Sequence, residues 1–416
     1  MDKGTYRPRV IDSELAAALQ AAGAVVVEGA KGCGKTTTSE QIAASGVHLD
    51  RDSAARAAGR EAPESLLPGE NPRLIDEWQL VPDVWNTIRS EVDQRDTPGQ
   101  FILTGSATPA DDVTRHSGAL RFIRLQMRPM SLLESGESSG NASLKAMWEG
   151  QAPPSVLESL PLKNVVDAAC RGGWPSSLNL DLSAAMTLNR SYLRIMASVE
   201  IATVDGKKRD PLKVEALLSA LGRNTATYVS NRVLQADSAE YGESIDPKTI
   251  ASYLDALERL WVLVPQHAWG GHLQSSAAAR KASKRHLADP SLAVAAMEAG
   301  PQDLLEDRAA LGQVFETLVF RDLSVYAQSM GASVRAFQDK DGKELDAVIV
   351  KGVHWAGIEV KLSGTPTILD TAAANLTAIA RRMTRAPQFL AIITASGPTY
   401  TRKDGVHVVS ITQLGP

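Results

Sequence analysis

The chain has 416 residues, is 44% hydrophobic and 22% charged, and carries a net charge of −4. That length predicts two to four domains, the composition excludes a disordered chain, and the charge confines any nucleic-acid site to a local basic patch. Two cysteines, Cys33 and Cys170, exclude a disulfide framework, while the lack of a long apolar run or a signal-peptide core after Met1 predicts a cytoplasmic protein without a membrane partner.

The first segment, Tyr6-Arg7-Pro8-Arg9, reads as extended, and a helix over Asp12–Ala22 follows with Asp12 as its N-cap and Leu15, Ala18 and Leu19 as its apolar stripe. Val25-Val26-Val27 then feeds Gly29-Ala30-Lys31-Gly32-Cys33-Gly34-Lys35-Thr36, a full match to G-x-x-x-x-G-K-[ST] in its strand–loop–helix setting. Glycines let successive backbone N–H groups turn toward a phosphate, and the helix behind adds the positive end of its dipole. Gly29, Gly32, Gly34, Lys35, Thr36 and Thr37 are therefore the candidate ATP-binding residues, with Lys35 on the β- and γ-phosphates and the Thr36 hydroxyl on Mg²⁺.

A weak second strand is predicted at Val47–Asp50. The run Arg73-Leu74-Ile75 ends in Asp76-Glu77, which places Asp76 at the magnesium shell and Glu77 as the group that polarises the attacking water. The strand Gln100–Ser106 brings its polar end to the same sheet edge, with Ser106 the first candidate to sense the γ-phosphate and Thr104 the second. Beyond it lies an arginine-rich stretch, His116-Ser117-Gly118-Ala119-Leu120-Arg121 through Met127-Arg128-Pro129-Met130. Arg121 is its candidate for an arginine finger acting on a neighbouring subunit; arginines on a strand edge are the plainer reading.

The phosphate loop, LIDEWQ, FILTGSAT and HSGALR…MRPMSLLESG together resemble AAA-type ATP-binding proteins that carry a C-terminal DUF4143 domain. The resemblance implies an AAA+-like fold and assembly as a homo-oligomeric ring, expected as a hexamer. One departure is visible: the family's usual Gly-Arg pair is Leu120-Arg121 here, which keeps the arginine and changes the backbone preceding it. The Gly/Ser/Pro-rich 135–165 region reads as linker, and Arg171-Gly172-Gly173-Trp174-Pro175 repeats a short block of the same family, with Gly172 and Gly173 as a tight turn.

Further on, Leu212–Leu221 reads as a helix, and Asp246-Pro247 opens a second one running to Leu260 with Leu254, Leu257 and Leu260 inward. A strand, Trp261–Val264, and the Gly-rich hairpin Trp269–His272 complete a winged-helix pattern that can enter a DNA major groove; a helical protein-binding module is the alternative. The basic run Arg280–His286 is placed to grip phosphates.

The C-terminal stretch carries a second chemistry. Glu316 sits on the amphipathic helix Gly312–Leu323, and strands are predicted at Val334–Phe337, Glu344–Val350 and Trp355–Leu362. A turn symmetric about Gly352-Val353 sets Val350 against Trp355 and Asp346 against Glu359, with Lys361 on the same face. Asp346…Glu359-Val360-Lys361 resembles the PD-(D/E)xK nuclease core, and Glu316 matches the glutamate that its first helix often contributes. The resemblance implies metal binding by Asp346 and Glu359 and catalytic roles for Glu316 and Lys361; a solvated charged sheet face is the alternative. Arg381, Arg382 and Arg385 are candidates for its DNA side.

The sequence thus predicts an α/β protein in which an AAA+-like P-loop NTPase domain (1–140) precedes a helical lid and linker (141–210). A winged-helix unit (211–283) and a restriction-endonuclease-like domain (284–416) follow. The expected function is ATP-dependent remodelling or translocation of DNA, with ATP and Mg²⁺ as cofactors. A nucleotide-controlled binding switch that cuts nothing is the alternative from another class.

Overall fold

The structure, a computed structural model, describes residues 6–107, 118–242, 244–271, 282–339 and 341–416. Packing divides the chain into one unit of Met1–Pro129, Glu200–Lys208 and Ala256–Val262, and a second of Met130–Val199, Arg209–Asp255 and Leu263–Pro416.

The first unit runs α1 (Ile11–Ala21), β1 (Ala24–Glu28), α2 (Lys35–Ile42), β2 (Ser45–His48), α3 (Ser53–Glu61), β3 (Arg73–Asp76), α4 (Val84–Arg95), β4 (Phe101–Gly105) and β5 (Phe122–Gln126). Its five strands lie in the order β2-β3-β4-β1-β5, all parallel. Val25, Val26 and Val27 are fully buried because β1 is central, and a parallel strand covered on both faces carries an unbroken aliphatic run. One face packs on Trp78, Trp85 and Ile88, and Trp85 meets Phe122 edge-on at 4.5 Å. Asp12 is not the cap of α1. The helix begins one residue earlier, and Asp12 in its first turn accepts from the Arg9 N–H at 2.8 Å and the Tyr6 hydroxyl at 2.6 Å. The second strand is also displaced from its predicted place, because Ser45–His48 pairs with Arg73–Asp76 and the chain has turned by Asp50.

The second unit begins with α5 (Leu132–Ser135), β6 (Ala142–Ser143), α6 (Leu144–Trp148), α7 (Leu162–Arg171) and α8 (Leu182–Ile195). A π-helical turn, Met196–Glu200, and α9 (Ile201–Thr203) carry the chain back into the first unit. Then come α10 (Pro211–Arg223), α11 (Asn231–Glu240), α12 (Pro247–Arg259), and the antiparallel pair β7 (Leu263–Gln266) and β8 (Lys284–Leu287). Asp246 caps α12 through the N–H groups of Lys248 and Thr249, and Leu254, Leu257 and Leu260 are buried. Gly172 has a φ of 82°, as a turn glycine does, whereas at Gly173 a Cβ would lie 2.1 Å from the Met130 carbonyl, so close backbone approach dictates that glycine.

The remainder is α13 (Pro290–Ala296), α14 (Pro301–Glu306), the long α15 (Arg308–Ser329), β9 (Ser333–Gln338), β10 (Glu344–Lys351), β11 (His354–Lys361), α16 (Pro366–Ala380), β12 (Leu390–Thr394), β13 (Tyr400–Thr401), β14 (His407–Ser410) and β15 (Leu414–Gly415). A mixed six-stranded sheet, β13-β14-β12-β11-β10-β9, packs its aliphatic face on α16 through Leu369, Leu376 and Ile379. Val350 pairs with Trp355 and Ala347 with Ile358, the register that the turn symmetry predicts. Among the described residues no helix is long and apolar enough to cross a membrane.

Candidate functional site

Each glycine of the phosphate loop answers a different demand. A Cβ on Gly29 would lie 2.0 Å from the Met127 carbonyl oxygen, while Gly32 and Gly34 have φ of 81° and 107°. The Met127 backbone cannot yield, since its own N–H donates to the Glu28 carbonyl at 2.7 Å. Gly29→Ala is therefore expected to cost about 1–3 kcal/mol of overpacking and to weaken nucleotide binding. Gly32→Ala, which meets nothing within 4 Å, pays only left-handed strain of about 1–2 kcal/mol. Denaturant midpoints of the two variants check the order, and equal loss would contradict it.

Lys35, buried at the start of α2, donates to the Gly29 and Ala30 carbonyls at 2.9 and 3.1 Å. The Arg9 guanidinium braces the loop from outside, donating to the carbonyls of Cys33 and Arg128, both at 2.8 Å. Lys31 points the other way, to Glu200 at 2.5 Å. Sequence gave no sign of Arg9 or Glu200, which reach the loop from distant segments.

At the carboxyl edge of the sheet the carboxylates of Asp76, on β3, and Glu77, at its exit, have separate partners. Asp76 Oδ1 accepts from the Thr36 hydroxyl at 2.7 Å and the Thr104 hydroxyl at 2.5 Å, and Oδ2 lies 3.0 Å from His48 Nδ1. Glu77 takes a left-handed backbone, φ 55° and ψ 47°, of the kind that costs about 1–3 kcal/mol and persists where position matters. Its carboxylate accepts from Ser106 Oγ at 2.7 Å and from Gln79 Nε2, and its N–H donates to Thr104 Oγ1 at 3.1 Å. One buried hydroxyl, Thr104, thus ties both acids together, which leaves Ser106 as the candidate at the mouth. The Thr36 hydroxyl and Asp76 carboxylate converge, a donor set that fits Mg²⁺. Such an ion supplies charge neutralisation for the phosphates.

A second constellation lies on the C-terminal sheet. Asp346 Oδ2 accepts from the Val360 N–H at 2.7 Å and lies 3.3 Å from Lys361 Nζ, which also meets Glu359 Oε2 at 2.6 Å. Asn375 on α16 donates to Glu359 Oε1 at 2.7 Å. Glu316, on α15, meets Lys284 Nζ at 2.7 Å. Burial and then the Asp346 charge push Glu316 and Glu359 up to about 7, with Lys284 and Lys361 pulling the other way. Burial opposes the charge of Lys284, yet Glu316 and Asp346 outweigh it and hold the ammonium above the ordinary lysine range. Asp346 and Glu359 fit one divalent cation in that both converge on a single point, where the Lys361 ammonium stands. Among the described residues no group of three or more His, Cys, Asp or Glu is arranged to hold a metal.

Residues 21–135 match the family model of an AAA domain, and residues 311–414 match that of a domain of unknown function, DUF4143. The chain carries an N-terminal AAA ATPase domain and a C-terminal DUF4143 domain. Between them, residues 162–303 match a further domain of unknown function, DUF8612. Two uncharacterized proteins, from Mycobacterium bovis and Mycobacterium tuberculosis, are each 25% identical over 378 residues, covering 86% of this chain and 74% of theirs. The Walker-type ATPase of Pyrococcus abyssi superposes with a TM-score of 0.37 at 14% identity, over 70% of this chain and 99% of its own. A superposition of that extent carries no argument about mechanism.

The AAA domain does not bring Arg121 to its own phosphate loop. Arg121 precedes Phe122, which pairs with Ala24 at the amino end of β1, whereas the loop follows Glu28 at the other end. Five strand residues set them about 13 Å or more apart. The guanidinium instead donates to Asp93 on α4 at 2.7 Å. Leu120 before it is 99% exposed with a φ of 67°, the left-handed backbone that the family's glycine would adopt freely.

The basic run is a correction. Arg280 and Lys281 lie outside the described residues, and the rest does not face solvent as a phosphate grip. Lys284 and His286 are buried, and Arg285 donates to the Val229 carbonyl and to Asn231 Oδ1 at 2.9 and 2.8 Å. These residues form β8, with Lys284 and His286 on its inward face; a strand so polar shows no apolar alternation, so its burial was hidden. Arg382 is likewise engaged, with Asp339 at 3.0 Å and Asp341 at 3.2 Å.

Proposed function

We propose that this ATPase drives the processing of DNA in the cytoplasm, as a homo-oligomeric ring of six AAA+-like domains in which Arg121 of one subunit serves the next. Three helices followed by an antiparallel pair, α10, α11, α12, β7 and β8, support a winged-helix reading of the middle segment. The observation that carries the DNA reading is that Asp346 and Glu359 both meet the Lys361 ammonium, at 3.3 and 2.6 Å, and so face a single cation position. Two carboxylates and a lysine on adjacent strands suit metal-dependent chemistry at a phosphodiester, and support a restriction-endonuclease-like domain.

In this reading Asp346 and Glu359 would hold a divalent ion, which would supply activation of water, and Lys361 would help to orient that water. Asp346→Ala and Lys361→Ala should each abolish Mg²⁺- or Mn²⁺-dependent cleavage while ATP turnover stays unchanged. Cleavage and ATPase assays on the same samples check this, and cleavage surviving in Asp346→Ala would contradict it. A second reading, a nucleotide-controlled switch that binds DNA or a protein partner without cutting, is favoured by the lysines already pairing with the carboxylates. It predicts intact DNA in every sample, with affinity unchanged or improved when the carboxylates are removed.

A further inference from the structure

Lys284 belongs to the segment matching DUF8612, yet its ammonium lies among the carboxylates of the DUF4143 segment. It is 2% exposed, with Nζ 2.7 Å from Glu316 Oε1, 3.8 Å from Asp346 Oδ1 and 5.5 Å from the centre of the Tyr228 ring. An ammonium so enclosed keeps its charge only because the carboxylates meet it. Its strand is fixed. His286, two residues on, stacks on Phe320 at 4.1 Å and reaches Gln266 Oε1 at 3.0 Å and Thr317 Oγ1 at 3.2 Å. Gln266 in turn donates to the Asp346 carbonyl at 3.0 Å. Lys284 therefore cannot withdraw without β8 unpacking from α15 and β10.

Lys361 differs. It meets Asp346 through the other oxygen, Oδ2, and its side chain is 32% exposed against 3% for Lys284. Asp346 thus stands between two cation positions, each shared with one glutamate. One opens to solvent, where a flexible lysine can swing aside; the other is sealed.

We infer that Lys284 is a built-in cation: it fills the Glu316–Asp346 position permanently, so the C-terminal site takes one divalent ion, between Asp346 and Glu359, and never a second. Lys284 is a positioning residue in this account, setting Asp346 for the open side. The inference rests on reading the cluster as a cation-dependent phosphodiester site, but ion counting needs no DNA, so the two stand or fall separately.

The test is Mn²⁺ titration of the full chain without nucleotide, read by electron paramagnetic resonance and calorimetry. With Asp76→Asn present in every sample, so that the phosphate-loop position takes no ion, the otherwise wild-type chain is expected to bind one ion, lost in Glu359→Gln. Lys284→Met should bind two, and the double variant Lys284→Met/Glu316→Gln should return to one. If Lys284→Met folds only with Mn²⁺, by circular dichroism, that dependence is the gained ion; the double variant, relieved of one charge of each sign, should fold without it. None or two ions in the otherwise wild-type chain overturn the inference, and this count decides even if neither variant folds. No second ion in a folded Lys284→Met overturns it too, as does a Lys284→Met that Mn²⁺ fails to fold while the double variant folds. One ion with no DNA cut would leave the inference standing and remove the nuclease reading.

Discussion

Glu77→Gln is expected to bind ATP at close to wild-type affinity and to hydrolyse it about 10²- to 10⁴-fold more slowly, the range a positioned general base supplies. The Glu77 carboxylate accepts from Ser106 and Gln79, not from the side chains that hold the Asp76 carboxylate, and its backbone is left-handed. The substitution retains size and an acceptor for the Ser106 hydroxyl, and Asp76 keeps its contacts to Thr36 and Thr104. Binding therefore survives and proton abstraction does not. Single-turnover hydrolysis with a parallel nucleotide-binding isotherm separates the two. A wild-type rate would remove Glu77 from its assigned role.

Arg121→Ala is expected to lose about 10³-fold or more in turnover, the scale of an arginine finger supplied in trans, with nucleotide affinity nearly unchanged. Arg121 lies at the amino end of β5, away from its own loop, so any action on a γ-phosphate must be on another copy. In the single chain the pair with Asp93 holds the side chain against α4. Mixing Arg121→Ala with Lys35→Ala protein should restore part of the activity, since some mixed interfaces then join an intact loop to an intact finger. A strictly monomeric wild type with full activity would contradict the assignment, as would a loss that mixing never restores.

The sequence was most legible where backbone geometry constrains residue type. Gly29, Gly34, Lys35 and Thr36 announce a loop because few other residues tolerate a 2.0 Å approach to a carbonyl or a φ of 107°. The hairpin register at Val350 and Trp355 followed from a turn symmetric about Gly352-Val353. Legibility failed where tertiary partners decide. Lys284 reads as a solvated charge in a basic run, and Glu316 and Asp346, met across the fold, make its burial possible. Thr104 seemed one of two alternatives for sensing phosphate, but its hydroxyl is spent on Asp76 and Glu77 together. Arg9 lies in a stretch without periodicity, and its hold on Cys33 and Arg128 depends on how α1 enters the domain.

ATP turnover measured with no DNA and with single-stranded, duplex and four-way DNA addresses the account most directly. Wild type should hydrolyse ATP faster with at least one of these, and Lys35→Ala should stay inactive with all of them. An ATPase rate that no form of DNA changes, from a chain that binds none of them, would contradict the central claim and leave an ATPase whose partner is not DNA.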